Sequence, residues 1–197
     1  MPELPRDRRK RANKEAGLTA RLKKTVVLVG MMGAGKTAVG TALAARLGVP
    51  FLDSDAEIVA AAQMPIAEIF TRDGEVFFRD REAEVISRLL DGAPGILSTG
   101  GGAFLAERNR QMIHERGVSV LLDADIDLLW NRVKHKETRP LLRTSDPRAT
   151  LEEIFTVRAP IYALADLAVP ARPEYAIADM VGKVIEALEG RPDVFGE

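Results

Sequence analysis

From Thr25 onward the chain alternates short apolar runs with longer stretches in which apolar residues recur every three or four positions. Val26-Val27-Leu28-Val29 is unbroken and mostly β-branched, the pattern of a strand buried on both faces, and it stops at Gly30. After a glycine-rich turn, Val39, Leu43 and Leu47 keep helical spacing until Gly48 ends it. Phe51-Leu52 predicts a second short strand ending at Asp53, followed by a helix over 58–62 that Pro65 breaks. A helix is expected over 75–90 with Val76, Val85, Ile86 and Leu89 inward, then a turn through Gly92, Pro94 and Gly95. Residues 96–99 read as another buried strand, running into Gly100-Gly101-Gly102. Helix over 108–116, strand over 118–122, helix over 126–133, a short strand at Ala168-Val169 and a closing helix complete the pattern.

Helices alternating with apolar strands imply an α/β fold: a three-layer sandwich with a mostly parallel five-stranded sheet, helices on both faces, and ligands at the strand carboxyl ends. Residues 134–148 interrupt the alternation with a charged, proline-containing segment of the size expected for a lid. The expected organisation is a basic, disordered leader over 1–24, one domain over 25–190 and a flexible tail over 191–197.

Composition narrows the chemistry. The 197 residues include no cysteine, which excludes a disulfide framework, a thiol nucleophile and Cys-based zinc or iron–sulfur sites. His114 and His135 lack ligand-spaced partners, so no transition metal is expected. No apolar run approaches the roughly 20 residues that cross a bilayer, and the amino terminus is too charged for a signal-peptide core. A cytoplasmic protein without a membrane partner is the expectation. Residues 1–24 hold nine Lys/Arg against three acids, a charge of +6, which leaves −7 on the rest of a chain whose net charge is −1. Such a leader can bind nucleic acid or anionic lipid, or act as a targeting sequence. Without interleaved aromatics or helical apolar spacing, a solvated leader with no nucleic-acid partner is the reading adopted.

Gly30-Met-Met-Gly-Ala-Gly-Lys-Thr37 matches G-x-x-x-x-G-K-[ST] between a predicted strand and a predicted helix. A random chain of this length would contain the pattern in about one case in a hundred, before its context is counted. The backbone N–H groups over Gly33, Ala34, Gly35, Lys36, Thr37 and Ala38 would cradle phosphate at a helix amino terminus, with Lys36 near the β- and γ-phosphates and Thr37 on magnesium. The acceptor stays open, because GTPases, transport ATPases, nucleotide kinases and metabolite kinases share this cradle.

Other residues bear on the acceptor. Asp53-Ser-Asp55 ends the second strand, where two carboxylates spaced i, i+2 on extended chain point the same way; the bland alternative is a helix cap. Arg79 and Arg81 lie on a predicted helix, where one of them could fork a carboxylate or both could form surface ion pairs. Gly100, Gly101 and Gly102 offer backbone donors and no blocking side chain, or else form a flexible turn. Arg132 precedes the lid segment and Arg139 lies within it, suited to closing positive charge over a nucleotide. Arg158 carries no signal of its own.

Taken in order, the phosphate loop, Asp53-Ser-Asp55 with Glu57-Ile58, Ile69-Phe70 with Gly74-Glu75, Phe78-Arg79 with Glu82, Thr99-Gly-Gly-Gly102, Arg139-Pro-Leu-Leu142, and Arg158 with Tyr162 resemble shikimate kinase over residues 25 to about 188. The resemblance implies MgATP-dependent transfer of the γ-phosphoryl to the 3-hydroxyl of shikimate, in aromatic amino-acid (chorismate) biosynthesis, by a monomer. It implies that Lys36 contacts phosphate, that Thr37 and Asp53 serve magnesium, and that Asp55 grips the shikimate hydroxyls and assists deprotonation. Arg79 and Arg158 would bind the carboxylate, Gly100 to Gly102 would line the pocket, Arg139 would stabilise the transferring phosphoryl, and Arg132 would stack near adenine. Thr37 stands where serine is common in that family, and the basic leader has no counterpart in its minimal domain. Two other readings remain: a related metabolite kinase acting on gluconate, and a non-catalytic nucleotide-binding module whose leader recruits a partner.

Overall fold

A run of β-branched residues with no polar position has no solvent face, and Thr25–Val29 (β1) accordingly lies at the centre of the sheet with all five residues buried. The computed structural model describes residues 22–135 and 140–196. Phe51–Asp53 (β2), Ile96–Ser98 (β3), Gly117–Ala124 (β4) and Leu167–Ala171 (β5) complete a sheet of order β2-β3-β1-β4-β5 in which every pairing is parallel. The chain leaving β1 passes to one edge and the chain leaving β3 crosses to the other side, so the connections diverge between these two strands. Their carboxyl ends frame the crevice where such folds hold ligands. Register brings Leu28, Ser98 and Asp53 into line across three strands, which sets Asp53 beside the loops that follow β1 and β3.

The described helices are Lys36–Leu47 (α1), Ser54–Ala62 (α2), Ile66–Leu90 (α3), Glu107–Arg116 (α4), Ile126–Val133 (α5), Pro147–Tyr162 (α6) and Ile177–Glu189 (α7). They cover the two faces of the sheet; α1 packs on α7, and α4 lies against β4. The main core joins the sheet to these helices. A second, smaller cluster of Ile58, Ile69 and Phe78, backed by Met64, Ile66, Phe70 and Val85, joins α2 to α3, with the Arg88–Glu57 ion pair at 2.8 Å beside it.

Several expectations change. Helix α2 ends at Ala62 on a left-handed Gln63, before Pro65 is reached, and Pro65 serves as the amino-terminal cap of α3, which therefore starts nine residues before the expected helix over 75–90. Gly74, at φ 83° and ψ 172°, interrupts α3 in a conformation that a side chain would make costly. Val76 is 78% exposed rather than inward; the buried face runs through Phe78, Glu82, Ile86 and Leu90. At the lid segment, Pro140–Leu142 is a 3-10 turn and α6 already begins at Pro147, capped by the Asp146 carboxylate on the Ala149 N–H at 3.0 Å. Residues 136–139 lie outside the described chain, as do 1–21 of the expected leader and Glu197.

The two ends of the described chain meet. Leu22 bridges to Phe195, the Lys23 N–H donates to the Val194 carbonyl at 2.8 Å, and Lys24 pairs with Asp193 at 3.0 Å over a fully buried Val194. Residues 191–196, expected as a tail, thus pack against the segment that enters β1. On the opposite end of the sheet from the crevice, Asp166 accepts from Ser119 Oγ at 2.7 Å and pairs with His114 at 2.6 Å, tying α4, β4 and β5 together. No described helix is long and apolar enough to cross a membrane.

Candidate active site

The loop after β1 wraps around its own charged groups. Gly33 adopts φ 84°, and a Cβ there would stand 2.7 Å from Val133 Cγ1, so both the backbone and the packing require glycine. Lys36 Nζ donates to the carbonyls of Gly30 at 2.7 Å and Met31 at 3.2 Å, holding its ammonium at the loop mouth. Arg132, from α5, donates to the carbonyls of Gly33 at 3.3 Å and Ala34 at 3.2 Å. The Ala34 N–H turns back to the Met31 carbonyl at 3.1 Å, and the rest of the loop with the amino terminus of α1 lines a cleft of about 490 Å³. Gly33, Ala34, Gly35, Lys36, Thr37, Ala38, Asp53, Asp55, Gly100, Gly101 and Arg132 all line it.

Asp53 fulfils the bland reading and leaves room for the other. Its Oδ1 accepts from the Asp55 and Ala56 N–H groups at 3.0 and 3.1 Å, capping α2, while Oδ2 is outside that cap. With Thr37 across the same cleft, a hydroxyl and a carboxylate oxygen form the hard-oxygen donor set that magnesium prefers when phosphates and water supply the remaining ligands. Burial, with the Asp53 carboxylate beside it, pushes the Asp55 carboxyl above the ordinary carboxylate range despite the opposing pull of Lys36 and Arg79.

The glycine triplet makes space for charged side chains. A Cβ on Gly100 would stand 2.6 Å from Asp55 Oδ1, and one on Gly102 would stand 2.5 Å from Arg79 Nη2. The Gly100 N–H donates to the fully buried Ser54 Oγ at 3.3 Å, and the Tyr162 hydroxyl donates to the Gly101 carbonyl. Arg79 is braced at Nη1 by Glu82 at 2.8 Å, reaches Glu75 at 3.4 Å, and lies over the Phe78 ring at 5.2 Å. Glu82 is 1% exposed; burial raises its carboxyl above the usual range although Arg79 pulls it down. Arg158 is half-buried one turn before Tyr162, and its charge pulls down a phenol pKa that burial raises. Arg79, Gly102 and Arg158 are not among the walls of the main cleft; Arg79 lies against Gly102, the last residue of the triplet whose first two residues line it. Arg139 lies outside the described residues, and Arg81 turns away to pair with Glu84.

A phosphate loop facing a paired-carboxylate strand end and an arginine-flanked glycine triplet is a specific combination, and the sequence as a whole agrees with it. The family model for shikimate kinase matches residues 32–189. The chain belongs to the shikimate kinase family. It is 68% identical over 178 residues to the shikimate kinase of Ruegeria pomeroyi, covering 90% of this chain and 91% of that protein. It is 63% identical over 188 residues to that of Cereibacter sphaeroides, covering 94% of each. Among solved structures it resembles shikimate kinase from Acinetobacter baumannii in complex with shikimate, with TM-score 0.80 and 34% identity over 90% of this chain and 98% of that one.

In this family member the nucleotide end of the cleft also includes Tyr175, Ile177 and Met180. Sequence reasoning passed over all three. Their signal was positional: they follow the carboxyl end of β5, on the sheet edge where the other cleft residues gather. Glu82 entered the resemblance beside Phe78-Arg79 without a role of its own. Only its burial separates it from Glu84, which is exposed.

Proposed function

We infer that the protein transfers the γ-phosphoryl of ATP to the 3-hydroxyl of shikimate, giving shikimate 3-phosphate and ADP in the cytoplasmic route to chorismate. The observation that carries this reading is the convergence of Asp55, Arg79 and the glycine triplet at one end of the cleft whose other end is the Lys36 loop. A hydroxylated ring carboxylate needs an acceptor for its hydroxyls, a cation for its carboxylate and a phosphoryl donor within reach, and these groups supply each.

On this assignment the loop N–H groups and Lys36 hold the β- and γ-phosphates, and Arg132 borders the nucleotide. Thr37 and Asp53 hold magnesium, which neutralises phosphate charge when bound. Arg79 and Arg158 take the substrate carboxylate, and Gly100 to Gly102 line its pocket. Asp55 binds the ring hydroxyls and receives the proton of the 3-hydroxyl as its oxygen bonds to the γ-phosphorus and the bond from that phosphorus to the β–γ bridging oxygen breaks, releasing ADP. Its raised pKa suits that proton transfer better than an ordinary carboxylate would. Arg139, from the lid, stabilises the charge on the transferring phosphoryl. Every group named comes from one chain, so a monomer suffices.

ADP release from MgATP, measured with shikimate, with gluconate and without acceptor, tests the reading, with shikimate 3-phosphate identified as product. Turnover confined to gluconate would replace the acceptor. Nucleotide binding with no turnover on either would leave a binding module.

A further inference from the structure

Ser54 is fully buried between two carboxylates that both face the cleft, yet it lines no part of that cleft itself. Its hydroxyl is not needed to start α2, because Asp53 Oδ1 already caps the helix on the Asp55 and Ala56 N–H groups. A buried hydroxyl without a partner is costly, and the partner here lies in another element: Ser54 Oγ accepts from the Gly100 N–H at 3.3 Å. The parallel ladder between β2 and β3 ends at the Asp53–Ser98 pair, where one chain turns into α2 and the other runs on into the glycine triplet. The Ser54 bond therefore continues the tie between the two chains just past the point where backbone pairing stops. It does so beside a tight approach, since a Cβ on Gly100 would stand 2.6 Å from Asp55 Oδ1. The other hydrogen bonds of the triplet lead elsewhere. The Gly100 and Gly102 carbonyls accept from the Ala103 and Leu105 N–H groups at 3.1 Å in the following 3-10 turn, and the Gly101 carbonyl accepts from the Tyr162 hydroxyl on α6.

We propose that Ser54 is a positioning residue for the acceptor end: its hydroxyl holds the Gly100 peptide against the start of α2 and so fixes the gap between Asp55 and the glycine triplet. The proposal rests on the acceptor reading above and gives Ser54 no contact with substrate. An acceptor whose hydroxyls meet Asp55 while its ring lies along the triplet needs both walls at one separation. Beyond the Asp53–Ser98 pair, no other hydrogen bond among the described residues joins those walls. Without the Ser54 hydroxyl, bringing them into place would draw on the binding energy of the acceptor. No hydrogen bond among the described residues links Ser54 to the phosphate loop or to α1, so nucleotide binding is spared.

Ser54→Ala removes the hydroxyl and leaves the Asp53 cap in place. The expected result is a rise of about tenfold in KM for shikimate, with KM for ATP within about twofold of the wild type and kcat lowered no more than about threefold. A smaller folded fraction would instead lower kcat and leave both KM values alone. Ser54→Thr restores the oxygen and adds a methyl group to a fully buried position, so it should melt below the wild type while keeping KM for shikimate within about threefold. In the alanine variant the Gly100 amide should exchange with deuterium at least about tenfold faster than in the wild type, with the amides of β1 unchanged. Equal increases in KM for shikimate in the two variants, or a KM for ATP that rises as far as that for shikimate, overturn the proposal in favour of a general packing role. An unchanged KM for shikimate or unchanged Gly100 exchange in the alanine variant overturns it outright. A wild-type enzyme inert toward shikimate overturns the acceptor assignment and this proposal with it, and a fast Gly100 amide in the alanine variant then marks the failure as one of substrate rather than of the tie.

Discussion

At Asp55 the surroundings that suit a carboxylate to accept a proton also make it a burden on the fold. Burial and Asp53 raise its pKa on folding, so between the ordinary carboxylate value and the raised one the native state holds more protons than the unfolded chain. Stability falls as pH rises through that window, and the deficit persists at neutral pH. Asp55→Asn should therefore melt no lower than the wild type at neutral pH while turnover drops by at least about 100-fold and ATP binding is kept. Melting below the wild type would remove this account of the site. Gly102 offers a complementary test. The Cβ of Gly102→Ala would meet Arg79 Nη2 at 2.5 Å, the far end of a flexible side chain, so the guanidinium should swing while the backbone stays. KM for shikimate should rise about tenfold or more, and the melting temperature should fall, because the swing leaves the buried Glu82 carboxyl without its partner. The sequence singled out Gly100 to Gly102 as places without side chains but took the beneficiary to be the ligand. That the vacated volume belongs to Asp55 and Arg79 depends on how the loop after β3 packs against α2 and α3, which no local pattern carries.

Asp53 shows how one element can serve two ends. It caps α2 with one oxygen and faces the cleft beside Thr37 with the rest of its carboxylate. Asparagine caps as well as aspartate, so Asp53→Asn should fold normally yet need at least about ten times more magnesium for half-maximal rate. A magnesium titration that overlays the wild type would reduce Asp53 to a cap. Elements with one clear period were legible: β1, α1 and α5 lie where apolar spacing put them. The misses have physical causes. Pro65 read as a break but sits where proline is tolerated, at the cap of α3, and Pro147, inside the segment expected as a lid, opens α6. The helix α6 also leaves Val157 69% exposed, which blurs its apolar face. Val76 was expected inward because it is apolar, but the buried face of α3 beyond Gly74 steps through Phe78, Glu82, Ile86 and Leu90 and passes it by.

Across the whole molecule, the parallel five-stranded sheet and the edge that carries the site followed from strand–helix alternation and the phosphate loop, because a buried parallel sheet admits few arrangements. The closure of residues 191–196 on Leu22–Lys24 did not, since a short polar terminus with one Val and one Phe gives no periodicity to read. Nor did the division of apolar side chains into two clusters, which has a consequence of its own. The bundle of Ile58, Ile69 and Phe78 is small, and it is separate from the core that β1 and β4 share. It should behave as its own cooperative unit, able to open and reclose while the sheet stays intact. Backbone amides in α2 and the first half of α3 should then exchange with deuterium well before those of β1 and β4, and saturating shikimate should slow exchange there while leaving the central strands as they were. Uniform protection across both regions would mean that the half of the protein that greets the acceptor is as rigid as the half that holds the nucleotide.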